Sequence, residues 1–106
     1  MTTSASASAA SVRHNEAQSR FEIDAGVELG VTQYIRKGDK IVFTHTEVPA
    51  DAEGQGLGNA LAEAALDYAE REHLLVVPRC QFVAAYIGRH PKYQHLVDEK
   101  LHNAED

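Results

Sequence analysis

The chain of 106 residues has a single cysteine, Cys80, and no long apolar run. One thiol excludes an internal disulfide and suits a reducing compartment, so a cytoplasmic location is expected. No segment approaches the roughly 20 apolar residues that a helix needs to span a bilayer, and no membrane partner is expected. A cationic excess is missing too: 10 Lys and Arg stand against 16 Asp and Glu, for a net charge of −6. Phosphate neutralisation supplies most of the affinity for nucleic acid, so no nucleic-acid partner is expected either. The acidic balance suits a cationic or amine-bearing partner, and equally well plain solubility. The six histidines lack metal-ligand spacing, since His90 and His95 are five apart across Pro91; no metal is expected.

The opening stretch MTTSASASAASVRHN is rich in Ser, Ala and Thr and has no apolar stretch. A signal peptide needs a charged start and a continuous apolar segment, and a transit peptide needs more than one arginine. Residues 1–17 are therefore expected to form a disordered tail, residues 18–98 one domain, and residues 99–106 a C-terminal tail. About 90 residues suffice for one modest core, and a monomer or weak dimer is expected.

Three alternating segments follow the tail: Ser19–Asp24, Val27–Ile35 and Lys40–Val48. Short connections between them, one marked by Lys37-Gly38-Asp39, predict an antiparallel meander. From Gly56 to about His73 the apolar residues Leu57, Leu61, Ala64, Ala65 and Tyr68 recur at helical spacing. Leu74–Val77 is a short continuous apolar run, as in a buried central strand, and Pro78 closes it. Gln81–His90 reads as a second helix stopped before Pro91. Tyr93, Leu96 and Val97 suit a last short strand or a docked turn.

Between the meander and the first helix lies Glu53-Gly-Gln-Gly-Leu-Gly-Asn-Ala-Leu61. Glycine raises the entropy cost of ordering a chain, so three of them against a helix start need a reason. A helix start leaves amide N–H groups unpaired at the positive end of the macrodipole. An anion can bind there where no side chain blocks its approach. Gly54, Gly56 and Gly58 would then let bare amides wrap a phosphate or diphosphate; alternatively they form only a tight strand-to-helix connection. The Gly-x-Gly-x-Gly spacing is not the dinucleotide fingerprint Gly-x-Gly-x-x-Gly. A mononucleotide loop needs Gly-Lys-Ser/Thr, whereas Gly58 is followed by Asn59 and Ala60.

The string HTEVPADAEGQGLGNALAEAALDYAE, followed by LLVVPRCQFVAAYIGRHPKY, resembles the GCN5-related N-acetyltransferases, and most of all their smallest single-domain branch. The resemblance covers roughly residues 19 to 97. It implies an α+β fold: a three-layer α/β/α arrangement with a mixed, mostly antiparallel sheet, whose parallel pair splays around the cofactor. It implies an acetyl-CoA-dependent transferase that moves acetyl to an amine of a small molecule, a peptide or a protein lysine. The alternatives are a non-catalytic CoA- or acyl-CoA-binding or protein-interaction module, and a plain structural domain. In the family the turn is written Arg/Gln-x-x-Gly-x-Gly/Ala and binds the diphosphate of acetyl-CoA. Gln55, Gly56, Leu57 and Gly58 match it, while Glu53 stands where Arg or Gln is usual. The cofactor-binding set implied is Thr46, Val48, Glu53, Gly54, Gln55, Gly56, Leu57, Gly58 and Asn59, with the pantetheine arm pairing like a strand along Thr46–Val48.

Four residues are candidates for chemistry. Cys80 sits at or just before the second helix, where the helix end and Arg79 favour a thiolate. The small branch has a cysteine at this place, which implies an acyl-carrying nucleophile or a thiol lining the CoA sulfur site; the alternative is a small buried hydrophobe. His45 and Glu47 are two apart on one strand face, and amine acetylation needs a base. The family's strand glutamate matches Glu47, with His45 as the alternative because it titrates near neutrality; either is also explained as a strand-end charge or a hydrogen-bonded histidine. Tyr86 approximately matches a tyrosine that in larger members protonates the leaving thiolate, and it also fits a core aromatic. Arg89, His90 and Lys92 suit a helix C-terminus, or the 3′-phosphate of CoA.

Overall fold

The computed structural model describes residues 9–52 and 54–98. Alternation drives the first half into a sheet. Strands β1 (Arg13–Asn15), β2 (Arg20–Ala25), β3 (Glu28–Lys37) and β4 (Lys40–Glu47) pair antiparallel with their chain neighbours. Helix α1 (Leu57–Arg71) then crosses over to β5 (Leu75–Pro78), which pairs parallel with β4 and completes the sheet order β1-β2-β3-β4-β5. Helix α2 (Gln81–Arg89) follows, and a 3₁₀ turn spans Pro91–Leu96. The fold is α+β with a mixed, mostly antiparallel sheet, as the family resemblance implied.

Inward residues of three strands, Phe21, Ile23, Ile41, Phe43 and Val76, form one core with Leu61, Ala65, Leu66 and Ala69 of α1 and Val83 and Ile87 of α2. Both helices thus lie against the same face of the sheet. Of the three layers expected, the described residues supply two. The other face carries half-buried Val42, with Ile35 and Leu75 exposed. No described helix is long and apolar enough to cross a membrane.

Two boundaries differ from the sequence reading, and one open alternative is decided. Residues 13–15, placed in the expected tail, form β1: Arg13, His14 and Asn15 pair with Glu22, Phe21 and Arg20. The His14 ring stacks on Phe21 at 4.2 Å, meets Tyr68 edge-on at 4.4 Å, and shares a 2.6 Å hydrogen bond with the Tyr34 hydroxyl. A polar, Ser/Ala-rich composition hid this anchor because it depends on aromatics from three other elements. Helix α1 stops at Arg71 rather than His73, because His73 takes a left-handed conformation, φ 58°, that turns the chain into β5. The C-terminal segment is the docked turn of the two forms expected. Tyr93 is fully buried and donates to Asp67 Oδ1 at 2.7 Å, and Val97 then makes a single bridge to Val76.

One irregularity positions the site. Tyr34 pairs with Phe43 but Gln33 pairs with His45, so one step on β3 spans two on β4 and Thr44 is extra. A bulge of this kind shifts the alternation of the strand that carries it. Phe43 faces the helices before the bulge, and Thr46 and Val48 face them after it. His45 and Glu47 turn to the opposite side. The Thr44 hydroxyl donates to Gln33 O at 3.3 Å and holds the bulge in place.

Candidate acyl-donor site

Where β4 parts from β5, the site opens. Parallel pairing ends at Phe43–Pro78, and the Cys80 N–H closes the last rung on Phe43 O at 2.9 Å. Beyond it β4 runs on through Thr46 without a strand on that side, while the chain from β5 turns into α2 with Cys80 as its N-cap. The divergence shows at the next residue, where the Arg79 N–H turns back onto Val77 O at 3.1 Å instead of continuing the ladder to β4.

The head of α1 faces this gap. Gly54 (φ 92°) and Gly56 (φ 77°) adopt left-handed conformations that side-chain-bearing residues resist. Gly56 is the N-cap and offers no capping side chain. Ala60 N–H donates to Gly56 O at 3.0 Å, whereas the amides of Leu57, Gly58 and Asn59 find no acceptor among the described residues. N–H groups left without an acceptor at the positive end of a 15-residue helix are able to receive an anion. They open onto a cavity of about 590 Å³ lined by Thr46, Val48, Ala52, residues 54–59 and Phe82. Of the nine residues implied as cofactor-binding, Thr46, Val48, Gly54, Gln55, Gly56, Leu57, Gly58 and Asn59 share this one wall. Glu53 lies outside the described residues.

At the strand end of the cavity, Thr46 meets the lone thiol. Cys80, only 7% exposed, donates its S–H to Thr46 Oγ1 at 3.2 Å. Thr46 Oγ1 lies 3.1 Å from Oγ1 of Thr32, its partner in the β3–β4 register, and Thr32 is 0% exposed. Cys80 itself is not on the cavity wall; Thr46 stands between the thiol and the open space.

The other candidates lie elsewhere. His45 Nε2 lies 3.6 Å from Glu47 Oε1, both well exposed, on the side of β4 away from the cavity. Tyr86 is buried on α2, its ring stacked on His90 at 3.9 Å, and it does not line the cavity. Burial, with the charges of Glu63 and Asp67, raises its phenol above the ordinary value, so it keeps its proton at neutral pH. His90 Nδ1 bonds Tyr86 O at 2.8 Å and Lys92 sits over the Tyr93 ring, so these two serve the end of α2.

Two residues escaped the sequence reading. Phe82 follows Cys80 by two, yet its place over the glycine turn depends on how α2 packs beside α1. Thr32 sits mid-strand, and only the register with Thr46 gives it a role.

The comparisons with known proteins agree with this architecture. Residues 20–96 match the family described as GCN5-related N-acetyl-transferase. The chain is 32% identical over 88 residues to Protein NATD1 of Mus musculus, with 80% of each chain covered. It is equally similar to Protein NATD1 of Homo sapiens, covering 80% of this chain and 78% of that one. Among solved structures, the solution structure of a GCN5-like protein from Staphylococcus aureus superposes with a TM-score of 0.65 at 22% identity, covering 81% of this chain and 85% of that one. The structural likeness speaks for the fold, the matched span for kinship, and together they make this chain a member of the GCN5-related N-acetyltransferase family.

Proposed function

We propose that the chain is an acetyl-CoA-dependent N-acetyltransferase that acts on an amine. One observation carries the reading: the three free amides of Leu57, Gly58 and Asn59 open onto the same cavity wall as Thr46, beside the lone thiol. The residues fit a diphosphate-bearing ligand, since the cradle is backbone, no described side chain caps it, and its volume is that of a small-molecule site. Leu57, Gly58 and Asn59 would hold the diphosphate, and the free edge of β4 at Thr46–Val48 would pair with the pantetheine arm. Bound acetyl-CoA supplies the acetyl group as an activated thioester.

The rest is done by the chain's own groups. Glu47 or His45, exposed across the strand from the cavity, takes the proton from an amine that arrives from the open sheet face. No described helix covers that face of the sheet, which suits an amine on a peptide or protein. Calorimetry with acetyl-CoA, paired with release of free CoA thiol in the presence of an amine panel, tests the reading. Binding together with amine-dependent thiol release supports it.

The placement of His45 and Glu47 outside the cavity favours one other reading, a CoA-binding module without transfer. Tight binding with no thiol release for any amine would select it.

A further inference from the structure

Thr46 Oγ1 lies within hydrogen-bond reach of both the Thr32 hydroxyl and the Cys80 thiol. A threonine hydroxyl has one proton to give and two lone pairs to receive. Thr32 is completely buried, and Thr46 Oγ1 is the one side-chain partner its hydroxyl has among the described residues. A buried O–H left unpaired is costly, so Thr32 donates to Thr46. Cys80, also buried, donates its S–H to the same oxygen. Both lone pairs of Thr46 Oγ1 are then filled from within the protein. Its own proton is left for the cavity that Thr46 lines.

We propose that the Thr46 hydroxyl is a hydrogen-bond donor to the sulfur of CoA, and that Cys80 and Thr32 are positioning residues that fix its direction. The inference rests on the cofactor reading above and gives the thiol a different place in it. Cys80 does not carry the acyl group; it orients Thr46, which does not give up its proton. Two donors polarise the hydroxyl and strengthen the bond that it makes in turn. A hydrogen bond to an anionic sulfur is stronger than one to a neutral sulfur, so the site favours the thiolate that acetyl transfer leaves behind.

The test reads the bound product and needs no acceptor. Free CoA is bound to the full chain, and the NMR shift of the methylene next to its sulfur is followed with pH. The bound thiol should titrate about one to two pH units below that of CoA in water. Thr46→Val should remove the depression and Thr46→Ser should restore it. Cys80→Ser, which can still donate to Thr46, should keep most of it, whereas Cys80→Ala and Thr32→Val should each lose part. Binding is checked first by calorimetry. Absence of CoA binding to the wild-type chain overturns the cofactor reading and this inference with it. Binding with the thiol titrating as in water, or equally depressed in Thr46→Val, overturns this inference alone. If Thr46→Val does not fold, the wild-type titration against CoA in water, with Thr46→Ser beside it, still decides.

Discussion

The ring of Phe82 occupies the space that a side chain at Gly58 would need. A Cβ at residue 58 would fall 2.6 Å from the ring's Cζ and 3.1 Å from both Cε atoms. Glycine at this position is therefore set as much by the neighbouring helix as by any ligand at the amides. The contact fastens the first turn of α1 to the first turn of α2, the two ends between which the cavity opens.

Gly58→Ala should accordingly cost about 1–3 kcal/mol, the usual range for overpacking, as Phe82 is forced aside. Phe82→Ala in the same chain should recover most of that loss, because Phe82 is 39% exposed and its removal leaves an open space rather than a closed cavity. Urea unfolding of both single variants and the double variant gives the coupling. Additive losses would contradict the contact.

The Tyr93 hydroxyl, buried against Asp67 at 2.7 Å, ties the terminal turn to α1. Burial and this bond raise the phenol above its ordinary value, so it remains a donor throughout the neutral range. Tyr93→Phe should lower stability by about 1–3 kcal/mol, the range for a buried polar group left without its partner, in the same unfolding assay. No change would mean that Asp67 is held by solvent instead.

The pH dependence of stability should carry the mark of His14. Burial lowers its pKa from 6.5, with Arg36 and Arg71 adding to the shift and Glu16 opposing it, amid the rings of Phe21, Tyr34 and Tyr68. The folded chain thus binds the proton less readily than the unfolded one. Stability is full above about pH 6.5 and falls as pH drops through that value. The melting temperature of the wild type should decline between pH 7.5 and 5.5 more than that of His14→Phe, which keeps the stack on Phe21. Parallel declines would contradict the assignment.

Glu47 and His45 separate the enzyme from the binding module. With any accepted amine, Glu47→Gln or His45→Gln should lower kcat about 100-fold or more if that residue is the base, and should alter the pH–rate profile. Acetyl-CoA affinity should be unchanged in both, since neither lines the cavity. If both variants keep full turnover, the proton leaves by another route.

Much of this arrangement was legible in the residues themselves. The alternation of Arg20–Ala25 and Lys40–Glu47, the three- and four-residue spacing of Leu57, Leu61, Ala65 and Tyr68, and the prolines at 78 and 91 act locally, and they produced elements close to the expected bounds. The wall formed by Thr46, Val48 and residues 54–59 was legible only through the family resemblance, because the glycine turn alone suits a plain strand-to-helix connection equally well. The bulge at Thr44 was not, since it is a matter of register between two strands. It is what puts Thr46, and not His45 and Glu47, on the same face as Phe43 and the helices. Thr32, Phe82 and the β1 strand escaped for the same reason. Each acquires its role from a partner far along the chain, and no local spacing announces that partner.

The proposed function turns on the bare amides at the head of α1 holding a diphosphate. Amide NMR during a titration with acetyl-CoA tests it most directly. Saturable shifts are expected at Gln55 through Ala60, the largest at Leu57, Gly58 and Asn59, continuing to Thr46 and Val48 along the free edge of β4. Shifts absent from Gln55–Ala60 at saturating acetyl-CoA, or confined to the open face of the sheet around Ile35 and Val42, would contradict it.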